Sequence, residues 1–73
     1  MAQRAREYEQ IRTVLAEADS DEALTAREIL QLLEARGERI ESAHRVATVL
    51  GRRARYGDVQ IIESSPYRYR LET

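Results

Sequence analysis

"LTAREILQLLEARG", residues 24–37, carries the strongest local signal in the chain. Thr25 stands where a helix N-cap would, and Glu28 follows three residues later. In that arrangement each side chain satisfies the other residue's backbone N–H. Leu24 before the cap and Ile29 at the fourth helical position have the spacing of a hydrophobic staple. Ile29, Leu30, Leu32 and Leu33 supply a face to bury, and Gly37 supplies a stop. The stretch predicts a short amphipathic helix between Thr25 and Gly37.

Upstream, residues 3–18 read as a second amphipathic helix. Tyr8, Ile11, Leu15 and Ala18 recur at near-helical spacing, with Val14 beside them. The acidic "DSDEA" then breaks the pattern as a short connection. Downstream, Ile40 is an apolar residue in a turn, and Ser42 is the expected N-cap of a third helix running to about Tyr56, with Gly57 ending it. At about 100° per residue, Ala43, Val46, Ala47, Leu50 and Ala54 share one arc, the expected core stripe. Arg45, Thr48, Val49 and Arg52 then point outward, with His44 and Arg55 at one margin and Arg53 at the stripe's edge. Gly51 costs about 1 kcal/mol inside a helix and is read as a close approach to another helix.

The C-terminal segment differs in kind. In "DVQIIESSPYRYRLE", β-branched and aromatic residues flank "ESSP". Val59 and Ile61 alternate with Gln60 and Ile62, and Tyr67, Tyr69 and Leu71 alternate with Arg68 and Arg70. The expectation is an antiparallel hairpin with Tyr67 and Tyr69 in the core and the two arginines on the opposite face. Tyr8 and Tyr56 are also expected to pack.

Seventy-three residues suffice for one small domain, 1–73, with one modest core. Cysteine is absent, which excludes disulfides and thiolate metal sites. The N-terminus lacks the apolar core of a signal peptide, and no apolar run approaches membrane-spanning length, so a cytoplasmic protein is expected. All twelve basic residues are arginine, and the net charge is −1. The charge is unevenly spread. Residues 1–24 hold three arginines against six acids, whereas residues 41–57 hold four arginines against one acid. Such polarity orients a protein on a polyanion even when its net charge does not attract one.

Helix, short link, capped helix, turn, helix and hairpin, in that order, resemble the winged helix-turn-helix superfamily across essentially the whole chain. The match looks closest to small stand-alone prokaryotic proteins of that kind, especially archaeal ones. Its most specific piece is "LTAREILQLLEARG" running into "SAHRVATVLGRRARYG" and "DVQII". The resemblance implies an α+β fold: three helices followed by a C-terminal two-stranded wing, with Leu24 often in a minimal extra strand. The third helix would be the recognition helix. "GERIES" departs from the tight glycine-centred turn of the simplest members, and the wing tip carries no basic residue.

By that resemblance the chain binds double-stranded DNA as a small transcriptional regulator. Arg45, Thr48, Val49 and Arg52 would lie nearest base edges, with Val49 against a thymine methyl or a partner's side chain. Arg55, Arg68 and Arg70 would meet phosphates. Two bland alternatives stand beside this: a solvated arginine face, and cross-strand pairing of Arg68 and Arg70 with Glu63 or other acids. One module buries little surface, so a homodimer or larger complex is expected. The competing function is a protein-binding adaptor in a replication, transcription or processing complex. The lone histidine, His44, has Glu41 nearby but no further ligand or nucleophile, so neither catalysis, metal nor cofactor is expected.

Overall fold

The computed structural model describes residues 2–18 and 23–72, with side chains from residue 6 onward. Of the connection expected at 19–23, residues 19–22 lie outside them. The elements run α1 (Ala2–Glu17), β1 (Leu24–Thr25), α2 (Ala26–Ala35), α3 (Ala43–Ala54), β2 (Val59–Ile62) and β3 (Arg68–Leu71). The fold is α+β.

The capping box at the start of α2 is formed. The Thr25 hydroxyl accepts from the Glu28 N–H at 3.1 Å, and the Thr25 N–H donates to Glu28 Oε1 at 2.9 Å. At the other end, Glu38 N–H donates to Leu33 O and Gly37 N–H to Glu34 O, both at 3.0 Å. This closure needs a left-handed residue, and Gly37 has φ +80°. Helix α3 closes in the same way. Asp58 N–H reaches Arg53 O, Gly57 N–H reaches Ala54 O, and Gly57 has φ +81°. The tightened last turn therefore extends to Tyr56, although regular helix ends at Ala54.

Among the described residues the sheet has three antiparallel strands in the order β1-β3-β2: the two of the expected hairpin and, at Leu24–Thr25, a third where the resemblance puts a minimal extra strand. Leu24 pairs with Tyr69 and Thr25 with Arg68, which places the two-residue β1 on the outer edge of β3. On the other edge Ile61 pairs with Tyr69 and Val59 with Leu71. Leu24, Tyr69 and Ile61 thus form one cross-strand row facing the helices.

The core gathers Tyr8, Ile11, Val14 and Leu15 from α1, Ile29 and Leu33 from α2, and Val46, Val49 and Leu50 from α3. Ile40, Val59 and Tyr69 complete it. Three apolar residues expected inside are not. Leu32 is 42% exposed, Tyr56 72% and Tyr67 49%. Tyr67 precedes the first paired residue of β3, and Tyr56 follows the last regular turn of α3. Both lie past the end of the layer they would have packed into.

Two outcomes test the α2 start. Thr25→Ala should cost about 1 kcal/mol in a denaturant melt. The Glu28 carboxyl titrates below its ordinary value, first because it accepts from the Thr25 backbone N–H, with Arg68's charge a lesser cause. A depressed folded-state pKa gives stability that is present above the unfolded value and lost as pH falls through the folded one. Glu28→Gln keeps the box geometry but removes the charge, so it should be less stable than the wild type at neutral pH, flatten the acid side of the stability profile, and converge with the wild type in acid.

Candidate nucleic-acid interface

Helix α3 is fixed at its start by Ser42, whose hydroxyl accepts from the Arg45 N–H at 3.2 Å. Its phase is set by the residues it buries, and these are Val46, Val49 and Leu50. Val49, expected outward, is 8% exposed. The buried face is turned by roughly 60° from the stripe that the alanines suggest. The physical reason is area. Burial stabilises in proportion to apolar surface, so two valines and a leucine outweigh three alanines in choosing the face. Ala47 and Ala54 only flank the core.

This rotation redistributes the arginines. Arg45, expected nearest base edges, turns toward α1 and grips Glu7, with Nη2 at 2.7 Å and Nε at 3.0 Å from the same Oε1. The Glu7 hydrogen bond, then its charge, raises the Arg45 pKa, and the Glu7 carboxylate balances this cation within the fold. Arg53 turns inward too. Its guanidinium lies 4.2 Å from the Tyr8 ring centroid and 5.9 Å from that of Tyr56, with Nε 3.6 Å from Asp58 Oδ2. Of the four arginines in residues 45–55, two are therefore engaged by the fold. Arg52 and Arg55 are exposed and make no ion pair among the described residues.

The outward face of α3 consists of His44, Thr48, Gly51, Arg52 and Arg55. His44, Arg52 and Arg55 are exposed, and Thr48 and Gly51 are half-buried. The Thr48 hydroxyl donates to His44 O at 2.9 Å, which leaves its methyl and oxygen lone pairs for a partner. Positive charge is concentrated at the C-terminal half. The N-terminal half carries His44 and the ion-paired Arg45, and the exposed Glu41 precedes the Ser42 cap. Exposed Tyr56 adds an aromatic ring just beyond Arg55.

The wing arginines do not join this face as one cluster. Arg70 is half-buried and donates to Gln60 Oε1 at 2.8 Å, directly across the strand pair. Arg68 is exposed, donates to Ala23 O at 3.3 Å and acts electrostatically on Glu28, which sets it beside the start of α2. Cross-strand pairing thus occurs for Arg70, with an amide instead of the expected acid. His44, Gly51 and Tyr56 are not among the site residues that the sequence suggests. Their shared signal is helical spacing with Arg52 and Arg55 once Val49 is assigned inward.

Among the described residues no three His, Cys, Asp or Glu side chains are grouped so as to hold a metal ion, and no helix is long and apolar enough to cross a membrane. No family model, curated protein or solved structure matches the chain.

Proposed function

We propose that this chain is a winged-helix protein that binds double-stranded DNA, with α3 as the contacting helix and the β2–β3 hairpin as the wing. One observation carries the reading. Two arginines are held outward on one helix face while their two neighbours are tied into the fold. The element order and the β1-β3-β2 sheet support it, because β1 on the far edge of β3 leaves β2 and the hairpin beside α3. Arg52 and Arg55 meet phosphates or guanine edges, and Thr48 and His44 lie nearest the bases. Arg68 is the wing's phosphate contact. In this reading the protein is a small cytoplasmic transcriptional regulator, acting as a homodimer or within a larger assembly because one module buries little surface.

The test is a titration of duplex DNA across a salt series. Binding should be strongest at low salt and weaken as salt rises, with each neutralised phosphate adding about 0.9 to the slope. Arg52→Ala and Arg55→Ala should each reduce that slope by about one. Absence of duplex binding by the wild type at low salt defeats the proposal.

A second reading, a protein-binding adaptor, is favoured by a different observation. Leu32 is exposed at a groove of about 260 Å³ between the C-terminal ends of α1 and α2, lined also by Val14, Ala18 and Ala35. An adaptor using that groove would keep its partner after Arg52 and Arg55 are replaced and would lose it on Leu32→Asp.

A further inference from the structure

Gly51 sits inside α3, where glycine is unfavourable because the unfolded chain has more freedom to lose and no side chain compensates. Glycine inside an element is normally explained by a left-handed backbone or by a close neighbour. Neither holds here. Among the described residues positive φ is confined to Gly37 and Gly57. A Cβ built on Gly51 would meet nothing within 4 Å, which also excludes the helix–helix approach expected from the sequence. Nothing among the described residues requires this residue to be small.

Its position is informative. Gly51 lies one turn after Thr48 and one turn before Arg55, within about 40° of the middle of the outward face. An α-helix with its side chains is about 10–12 Å across, and the major groove is about 12 Å wide. A helix seated there has almost no slack, and a side chain on its leading face holds the backbone off the groove floor. A bare Cα lets the backbone come closer while the flanking longer residues straddle the contact. We infer that Gly51 is the point of closest approach between α3 and duplex DNA, a positioning residue that sets how deeply His44, Thr48, Arg52 and Arg55 enter the groove. This rests on the DNA-binding reading above.

The inference separates stability from binding, because the two should move in opposite directions. Gly51→Ala should raise the melting temperature by about 4–8 °C, since alanine is the better helix former and has room. The same substitution should weaken binding to random-sequence duplex about tenfold at fixed low salt, without changing the slope against salt, because no cation is removed. Gly51→Gln, also a good helix former, should weaken it further. If both variants melt higher and bind duplex as the wild type does, the inference is overturned and the DNA-binding reading stands. A lower melting point for Gly51→Ala would overturn it as well, by revealing an internal demand for glycine. Failure of the wild type to bind duplex removes both readings together.

Discussion

Tyr69→Ala is expected to destabilise the protein by about 3 kcal/mol, as truncation of a large buried aromatic does. Tyr69 is 5% exposed and stands at the centre of the sheet's inner face, paired with Leu24 on one side and Ile61 on the other. A domain of this length has a total stability of about 4–11 kcal/mol, so the variant should be partly unfolded at the low end of that range. Tyr67→Ala, two residues away, should change the melt by no more than about 0.5 kcal/mol, because that ring is 49% exposed. The contrast is the informative result. Equal losses would mean that the helix layer extends over Tyr67 and that the sheet ends later than described. Burial, with a smaller effect from Tyr67, also raises the Tyr69 pKa. A raised folded-state pKa means stability that is complete below the unfolded value of about 10 and lost as pH climbs through the folded one. Tyr69→Phe should therefore remove part of the alkaline loss.

Much of this architecture was legible because its signals are local. The Thr25–Glu28 box, the Ser42 cap and the two glycine stops each need only a few consecutive residues, and the structure has them where the spacing puts them. The illegible parts depend on residues far apart in the chain or on weighting. Strand β1 is two residues long, too short for any periodicity, so only the resemblance points to it, and it exists because Leu24 and Thr25 find β3 across the molecule. Local spacing leaves Arg45 a free cation, because its partner Glu7 is 38 residues away. Apolar spacing alone misplaces the phase of α3, because it weights three alanines like larger residues and draws the stripe away from Val49. One rotation accounts for most of the site errors. Moving Val49 inward takes Arg45 toward α1 and brings His44 and Gly51 to the outside with Arg52 and Arg55. The tyrosines failed for another reason. Alternation assigns a side of the sheet, but it does not say where the sheet or helix ends.

Val49→Asp puts that rotation to the strongest test. On an outward face the substitution would leave the melt almost unchanged and at most disturb a contact. In the structure Val49 packs among Val46, Leu50 and the rest of the core, so the new carboxylate would be buried with no cation assigned to it. An uncompensated buried charge is expected to destabilise by about 3–5 kcal/mol, comparable to the whole stability at the low end of the range for a domain this small. The uncharged Val49→Asn should lose less, because an unsatisfied amide costs about 1–3 kcal/mol beyond the lost apolar area. Burial raises the folded-state pKa of the introduced carboxyl, so its charge penalty is complete above that pKa and fades as pH falls toward the unfolded value of about 3.9. The gap between the two variants should therefore close in acid, which general acid destabilisation would not produce, since both variants share it. This ordering also guards the functional assay. Val49→Asp will lose any partner simply by unfolding, and such a loss says nothing about what α3 touches. Arg55→Ala and Gly51→Ala alter the outward face without reducing stability, so a change in duplex binding there belongs to the interface. A Val49→Asp protein that melts like the wild type would restore Val49 and Arg45 to the surface and remove the basis for choosing His44, Thr48, Gly51, Arg52 and Arg55 as the contacting face.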